Sequence, residues 1–360
     1  MLYESFQQDL ANIAKITDDH IITHPYPTTV TPSWLGEEML SYTKGGGKRL
    51  RPALCLWSAA LVCDNYQKAL PAAAAAEIFH TWTLVHDDII DRDATRRGLP
   101  TAHTSLAQHA RDSHNTEDAS ADHFGLSMAI LTGDLQQAWA LNFITEASGT
   151  QYPAHTTLTL INRLLTHVYP ILLGGEAIDV EFEHREIDSI SPEEILRMLE
   201  MKTACLLEFS AQAGIVCGLE LDTFDHPLVI AAGDFAYSAG LAFQLQDDIL
   251  GVFADETKLG KPVGSDFSAR KVTLLLAETI KLSNAEQNDF IHSLLGAKSI
   301  SENDLEQARQ IMRDCGALEM IQEKAQHYID AAQLNLQKLP NSPAKERLAE
   351  LAEFMIKRNF

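Results

Sequence analysis

The chain is poor in aromatic residues and in basic residues, and each shortage narrows what it can be. Only 7% of its 360 residues are aromatic, while 46% are hydrophobic, with long runs of Ala and Leu. This balance predicts helices, because sheets are enriched in β-branched and aromatic residues. The 28 Lys and Arg face 50 Asp and Glu, and the net charge of −22 argues against nucleic acid or an anionic membrane surface as a partner. A small anionic substrate is still compatible with it, since a bound divalent metal reverses the local charge.

The sequence also has no CxxC motif and no long apolar run without charges, and we expect no secretory leader. The five cysteines are scattered without a CxxC pair, as expected for small buried hydrophobic residues in a reducing compartment. The first ten residues are acidic and amphipathic, unlike a secretory signal. No stretch of eighteen residues is both apolar and free of charged residues, so we expect no membrane span. Together these features predict a cytoplasmic protein.

What the chain does have is helical periodicity, with apolar residues three and four positions apart along most of its length. The clearest stretches are residues 35–42, 53–62, 72–90, 128–144, 156–180, 192–217 and 227–250. Residues 111–122 are polar and predict a mobile surface loop. No repeat of 20–50 residues is evident. We predict an all-α protein, a single large helical bundle over residues 33–360, with an N-terminal extension over residues 1–32.

An acidic motif, "HDDIID", ends one apolar helical stretch at residues 86–91. On a helix Asp87 and Asp91 share a face, with Asp88 beside them. Like charges four residues apart repel, and anions at a helix C-terminus oppose the macrodipole. A divalent cation would remove both penalties, and carboxylate oxygens suit magnesium. The alternative is a solvated acidic helix end.

A second acidic motif, "QLQDDILG" at residues 244–251, repeats this pattern with Asp247 and Asp248. Gly251 stands where the first motif has Asp91. Because both motifs end strongly apolar helices, a metal role is favoured over a solvated helix end for the pair.

Basic residues accompany each acidic motif. "KGGGKRLRP" (residues 44–52) sets three glycines before three cations, which lets backbone amides approach a phosphate, although it is no Walker loop. Taken alone, this stretch is equally compatible with an exposed basic turn. Arg96 and Arg97 follow the first acidic motif, and Lys258, Lys261 and Lys271 follow the second. Carboxylates, metal and cations together predict a receptor for diphosphate groups.

Six motifs in order resemble the trans-isoprenyl diphosphate synthase, or polyprenyl synthetase, family over about two-thirds of the chain. They are "GGKRLRP", "HTWTLVHDDIIDRDATRRGLP", "LTGD", "MKTACL", "FQLQDDILG" and "GKPVGSDFSARK". The resemblance implies mostly antiparallel helices around a deep cavity, a homodimer, and three Mg²⁺ per active site. It also implies condensation of isopentenyl diphosphate with an allylic diphosphate, with the two acidic motifs facing each other across the cavity mouth.

The resemblance further assigns roles to residues at matching positions. Metal would be bound by Asp87 and Asp91, with Asp88 in support, and by Asp247, with Asp248 and Asp266 acting through water. The allylic diphosphate would be bound by Arg96, Lys202, Lys261 and Lys271. Isopentenyl diphosphate would be bound by Lys48, Arg51, His80 and Arg97. Thr203 and Gln244 would line the region in which the allylic cation forms.

Product length is predicted from Phe79 and Trp82, which lie two turns and one turn before Asp87. Two aromatic rings there would block a growing apolar tail, although both could instead be ordinary core residues. We predict geranylgeranyl diphosphate (C20) ahead of farnesyl diphosphate (C15), made from a C5, C10 or C15 allylic primer. The alternatives are a class I terpene cyclase, a non-catalytic partner subunit of a prenyl synthase, and a calcium-binding helical protein. The last is disfavoured because the sequence has no stretch with the spacing of an EF-hand loop.

Overall fold

Helices form nearly all of the regular structure in the computed structural model, which describes residues 5–254, 264–268, 270–297 and 299–356. Within those ranges the named strands are two-residue pieces of one hairpin. The all-α prediction is confirmed. 

The elements of the first half begin with a long helix and include the hairpin. They are α1 (Phe6–Ile22), α2 (Ser33–Glu38), α3 (Ser41–Lys44), α4 (Leu50–Ala60), α5 (Leu70–Ile90), β1 (Thr95–Arg96), β2 (Leu99–Pro100), α6 (Ala102–His114), α7 (Asp118–Glu146) and α8 (Ala154–Arg163). Short 3₁₀ turns cover Tyr26–Thr29 and Tyr66–Ala69.

The second half contains two π-helical segments, Leu164–Val168 and Glu200–Ala204, and a 3₁₀ turn at Ile187–Ser189. Its helices are α9 (Tyr169–Phe182), α10 (Pro192–Leu199), α11 (Cys205–Leu219), α12 (Pro227–Phe253), α13 (Ser265–Ser268), α14 (Leu274–Leu282), α15 (Ala285–Leu294), α16 (Glu302–Asp314), α17 (Ala317–Gln337) and α18 (Pro343–Ile356).

The chain divides into two compact units. Unit 1 comprises Met1–Arg163, Ser210–Ile230 and Pro340–Arg347, and unit 2 comprises Leu164–Phe209, Ala231–Leu339 and Leu348–Phe360. The boundary that the sequence suggests between an extension and a main domain at residue 33 stays a prediction.

Unit 1 is organised around α5, which packs against α4 and α7. Pro71 occupies its first turn, where a proline costs no hydrogen bond. Five buried alanines, Ala72 to Ala76, follow; they favour the helix and let neighbouring backbones approach closely. The largest fully buried rings around them are Trp57, Phe79, Trp139 and Phe143.

Within the same unit, α1 is packed rather than loose. It contacts α4 and α5, and its side chains Ile13 and Ile21 are fully buried. The buried carboxylate of Asp9 accepts a hydrogen bond of 2.5 Å from Arg347 Nε on α18. The segment predicted as an extension therefore contains a helix of the core.

Unit 2 has its own apolar core, which α10, α12, α14, α16 and α17 share. Its buried residues include Ile195, Leu245, Leu275, Met312 and Ile321. Side-chain caps fix several helix starts in this unit. Ser191 and Glu194 form a reciprocal capping box at α10, and Asn284 and Gln287 form another at α15.

The prediction of a mobile loop over residues 111–122 is wrong for most of its length. Helix α6 extends to His114, Asn115 ends it in a left-handed conformation, and α7 begins at Asp118. Arg111 donates to Asp118 at 2.9 Å and to Asp122 at 2.5 Å. These ion pairs link the two helix ends across the short turn. Both acids are exposed, so the packing of α6 against α7 is the larger stabilising contribution.

One described helix, α12, is long and apolar enough to cross a membrane by length and composition. Its most apolar window has a mean hydropathy of 1.4, but 67% of that window is buried inside the protein. Burial of this extent is also typical of a core helix, so α12 is weak support for a span. The expectation of no membrane span stays a prediction.

Candidate active site

The first acidic motif lies at the C-terminal end of α5, as predicted. Helix α5 ends at Ile90, and Asp91 is its C-cap. Asp87 is half-buried, Asp88 is fully buried and Asp91 is exposed. The three carboxylates therefore differ in their access to solvent although they are close in sequence.

Asp88 is enclosed by protein donors. Its Oδ1 accepts hydrogen bonds from Arg96 Nε at 2.8 Å and from Arg96 Nη2 at 2.5 Å. Its Oδ2 accepts a hydrogen bond from the Tyr42 hydroxyl and a second one, of 3.0 Å, from Arg96 Nε. Both oxygens are therefore engaged, and Asp88 holds Arg96 in place, with Arg96 Nη2 also 3.5 Å from Asp87 Oδ2. 

The pKa values of the partners follow from this arrangement. Burial, then the hydrogen bond to Asp88 and its negative charge, raise the pKa of the Tyr42 phenol. Burial lowers the pKa of Arg96, but the hydrogen bonds and charge of Asp88 outweigh it and raise that pKa above its ordinary value. Tyr42 is thus a fixed donor and Arg96 a fixed cation. Sequence reasoning missed Tyr42.

Arg96 lies in a β-hairpin that follows α5 and brings its side chain back to Asp88. Thr95 pairs with Pro100 and Arg96 with Leu99. The connecting residues Arg97 and Gly98 have φ values of 54° and 76°, as a tight hairpin turn between two strands requires. The hairpin was not predicted, because a pair of two-residue strands is too short to show alternating hydrophobicity.

The glycine-rich loop precedes α4, and Arg49 lies beneath it. Arg49 is 3% exposed and has left-handed backbone geometry, with φ 48°. The cations predicted to bind isopentenyl diphosphate differ from it in exposure: Lys48 and Arg97 are exposed, while Arg51 is half-buried. Arg49 was not singled out from the sequence, because nothing in "GGKRLRP" distinguishes its buried arginine from its accessible ones.

His80 shares the surroundings of these arginines. Burial lowers its pKa well below the ordinary value, and nearby positive charges lower it further. His80 is therefore a neutral hydrogen-bonding group at neutral pH. The cations that act on it, in decreasing order, are Arg51, Arg96, Arg97 and Arg49. The structure thus brings the predicted residues His80, Arg51 and Arg97 into one electrostatic environment.

In unit 2, Lys202 lies between two carboxylates of α9. Its Nζ is 2.8 Å from Glu176 Oε2 and 2.6 Å from Asp179 Oδ2. Glu176 and Asp179 were missed, although their three-residue spacing on a helix is a usable signal of a shared face. Lys202 belongs to the π-helical segment Glu200–Ala204, as does Thr203.

Thr203 and Gln244, which the resemblance assigns to one region, are hydrogen-bonded to each other. Gln244 Nε2 on α12 donates to Thr203 Oγ1 at 2.9 Å. This bond leaves the Gln244 carbonyl oxygen for other partners, since the amide nitrogen is the donor. The two residues join α12 to the segment that carries Lys202.

The second acidic motif occupies the last turns of α12. Asp247 is half-buried and Asp248 is 8% exposed. Gly251 carbonyl oxygen accepts a hydrogen bond of 3.1 Å from Gly264 N, so the chain returns to α12 at the position without a third acid. Lys258 and Lys261 lie outside the described residues, and so does the side chain of Asp266. Lys271 is exposed.

The described part of the chain contains no group of three His, Cys, Asp or Glu residues close enough to hold a metal ion. The acids of α5 that have access to solvent, Asp87 and Asp91, supply only carboxylate oxygens. Such donors fit a hard divalent cation that keeps part of its water shell. 

The predicted chain-length residues form one aromatic pair on α5. Phe79 is fully buried and Trp82 is 4% exposed, with ring centroids 4.9 Å apart and nearly perpendicular planes. His86, one turn beyond Trp82, has Nε2 3.2 Å from the Ile130 carbonyl oxygen of α7. His86 thus links α5 to α7 and also contacts Trp82, with ring centroids 5.9 Å apart.

Known proteins resemble the chain over most of its length. The family model named polyprenyl synthetase matches residues 32–312. Geranylgeranyl diphosphate synthase from Saccharolobus solfataricus is 35% identical over 315 residues, 87% of each chain. Geranylgeranyl pyrophosphate synthetase from Pyrococcus horikoshii Ot3 has a TM-score of 0.84 at 31% identity, over 99% of this chain and 100% of that one. Geranylgeranyl pyrophosphate synthase from Corynebacterium glutamicum, whose crystal structure contains isoprenyl diphosphate and magnesium, has a TM-score of 0.84 at 26% identity. The match covers 98% of this chain and 100% of that one.

Proposed function

The chain belongs to the polyprenyl synthetase family, and on that premise we propose that it is a short-chain trans-prenyltransferase. It condenses isopentenyl diphosphate with an allylic diphosphate and releases diphosphate. The observation that carries the proposal is the pairing of Asp88 with Arg96 beside Asp87 and Asp91, which sets a fixed cation next to accessible carboxylates. That combination suits a diphosphate and its counter-ion.

The family requires a divalent metal for catalysis. We propose that this metal is Mg²⁺, with three ions per site, and that Asp87, Asp91 and Asp247 bind it, with Asp248 and Asp266 acting through water. When bound, it offsets the charge that develops on a leaving diphosphate. Asp88 supports this set through Arg96, since both of its oxygens already accept protein hydrogen bonds.

The remaining residues bind the substrates and receive charge. Arg96, Lys202, Lys261 and Lys271 hold the allylic diphosphate while its carbon–oxygen bond ionises. The isopentenyl double bond then forms the new carbon–carbon bond, and the departing diphosphate accepts the proton that is lost. The hydroxyl of Thr203 and the amide oxygen of Gln244 lie where the allylic cation passes. Lys48, Arg51, Arg97 and neutral His80 hold isopentenyl diphosphate.

Product length is the finer part of the proposal, and C20 is the product we expect. The buried pair of Phe79 and Trp82 supports a closed end to the apolar tunnel. Replacing both with Ala and sizing the products tests this. Longer products are expected, and an unchanged chain length would contradict the closed end.

We also propose a homodimer in the cytoplasm. Its support in the structure is a row of exposed apolar side chains on α7, Leu126, Ile130 and Leu131, with Leu158 on α8 of the same unit. Such a row is typical of an interface when it is contiguous. Sedimentation of the wild type and of Ile130→Glu measures the assembly directly.

The activity is tested by incubation with Mg²⁺, labelled isopentenyl diphosphate and allylic primers of C5, C10 and C15. An elongated product is expected with at least one primer, and none with every primer would refute the enzyme assignment. Asp87→Ala and Asp247→Ala are both expected to abolish turnover. If Asp247→Ala alone retains full turnover, the metal role of the second acidic motif is wrong.

A further inference from the structure

Arg49 fixes the backbone of the glycine-rich loop from below. Its Nη2 donates to the Thr43 carbonyl oxygen at 2.8 Å, and its Nη1 is 3.3 Å from the Gly46 carbonyl oxygen. These carbonyls flank the start of the loop. A planar guanidinium that holds both of them leaves the intervening turn little freedom.

Gly47 lies directly over the same guanidinium. A Cβ added there would be 2.5 Å from Arg49 Nη1 and 3.0 Å from Arg97 Nη1. Arg49 is buried and held by several hydrogen bonds, so it cannot move aside easily. The missing side chain of Gly47 therefore lets the loop backbone lie between the two arginines, one of which we assign to isopentenyl diphosphate.

Two carboxylates position Arg49 in turn. Its Nε donates to Asp18 Oδ1 at 2.6 Å, and its Nη1 donates to Glu77 Oε1 at 2.9 Å. Glu77 is on α5 and Asp18 is on α1. With both acids in contact, Arg49 is charge-compensated, and its geometry is set by elements on two sides of the loop.

Helix α1, which carries Asp18, is itself anchored. Asp9, two turns and a half earlier, is fully buried against Arg347. Asp18 therefore lies on a helix that a second ion pair, between Asp9 and Arg347, also anchors. It also lies outside residues 32–312, to which the family model extends.

From these contacts we infer that α1 is part of the isopentenyl diphosphate site, with Asp18 a positioning residue that acts on the glycine-rich loop through Arg49. The inference rests on the proposed function, because it assigns this loop to that substrate. Removing the Asp18 charge weakens one charge-assisted hydrogen bond of Arg49 and loosens the carbonyls that the guanidinium holds.

The test compares Asp18→Asn with Asp19→Asn. Both changes remove one charge from adjacent positions of α1, but Asp19 is exposed and pairs only locally with Lys15. In Asp18→Asn the KM for isopentenyl diphosphate is expected to rise about tenfold, the usual effect of losing a hydrogen bond to a charged group. The KM for the allylic primer and the kcat are expected to stay within about twofold, since the loop does not bind that primer. Asp19→Asn is expected to match the wild type.

Two further variants separate positioning from folding. Asp18→Glu keeps the charge and should recover most of the loss. Arg49→Lys keeps the charge but not the fork, and should again raise the KM for isopentenyl diphosphate. Thermal melting without substrate is measured for each.

The outcomes are distinct. A wild type inactive with every primer refutes the proposed function and the inference together. An active wild type with an unchanged KM in Asp18→Asn refutes the inference alone. Equal rises in both KM values with a lower melting temperature would also overturn it, because they indicate a purely structural role.

Discussion

At the residue scale, Asp88 shows how one carboxylate of an acidic motif differs from its neighbours. It is fully buried and shared between Tyr42, which precedes the glycine-rich loop, and Arg96, which follows α5. A buried carboxylate needs such donors, because its desolvation is costly without them. Within the motif, Asp88 thus positions a cation, whereas Asp87 and Asp91 are the acids with access to solvent.

Tyr42→Phe is expected to leave one oxygen of Asp88 with a weaker set of donors. The free energy of unfolding should fall by about 1–3 kcal/mol, the usual effect of removing a partner from a buried group. Because Arg96 loses its fixed position, the KM for the allylic primer should also rise. Urea denaturation and steady-state kinetics measure the two effects. If stability and KM both equal those of the wild type, Tyr42 does not support Asp88.

Sequence reasoning identified residues by type and by local spacing, and this limits what it can find. Thr203 and Gln244 were paired by resemblance, and they are hydrogen-bonded. Tyr42 and Arg49 were missed, because their partners Asp88 and Asp18 are 46 and 31 positions away and no local pattern connects them. The roles assigned to the site residues, Thr203 and Gln244 included, stay predictions.

At the scale of elements, the π-helical segment Glu200–Ala204 carries Lys202 and Thr203 and packs against α9. The close approach depends on Gly175, where an added Cβ would lie 2.4 Å from the Lys202 backbone nitrogen. π-Helical insertions often mark functional positions. Here the insertion and the glycine together bring Lys202 to the acids of α9.

Gly175→Ala is expected to force α9 away from this segment, because a methyl group would clash with backbone atoms. Turnover should fall and the protein should be destabilised by about 1–3 kcal/mol, as for other overpacked sites. Gly174→Ala is the matched control, because its Cβ would meet only the flexible end of Met201, 2.9 Å away. Activity and unfolding are measured for both. Equal effects of the two changes would show that the close approach at Gly175 is unimportant.

The positions of most helices could be predicted, because their apolar faces repeat every three to four residues. Residues 72–90 and 227–250, for example, lie within α5 and α12. The helical parts of residues 111–122 could not, because Ala121 is the one buried side chain of this polar stretch, so little apolar periodicity marks them. The hairpin at Arg96 was missed for a related reason, since its geometry comes from a two-residue turn.

At the scale of the whole molecule, partly buried histidines make stability depend on pH. Burial lowers the pKa of His80, His20 and His103, and for His80 the reduction is large. Below pH 6.5, the ordinary value, the unfolded chain binds protons that the folded protein refuses. The free energy of unfolding therefore falls as the pH falls below this value, and the loss continues until the folded pKa is reached.

The contribution of His80 is measured by urea denaturation between pH 7.5 and 5.5. The wild type should lose stability with acidification, by at most about 1.4 kcal/mol per pH unit for one group. His80→Gln should show a shallower dependence, whereas His327→Gln, at an exposed position, should retain the wild-type slope. Identical slopes in all three proteins would contradict a neutral His80 in the folded protein.

Family and fold class could both be predicted from six ordered motifs and the helical periodicity, and both are confirmed. The division into two compact units could not, because unit 1 is assembled from three separated stretches of chain. Such long-range organisation leaves no trace in local patterns. Assembly and cellular location depend on surfaces and surroundings, which local sequence patterns do not encode.

The ion pair between Asp9 and Arg347 affects the order in which the newly synthesised chain folds. Its partners are 338 positions apart. At typical rates of synthesis, Asp9 is made roughly 20 to 70 s before Arg347. During that interval Asp9 lacks the partner that it has in the finished protein, so α1 can dock fully only after translation is nearly complete. The glycine-rich loop, which Arg49 holds, would then be among the last parts of the nascent chain to reach the conformation proposed to bind isopentenyl diphosphate.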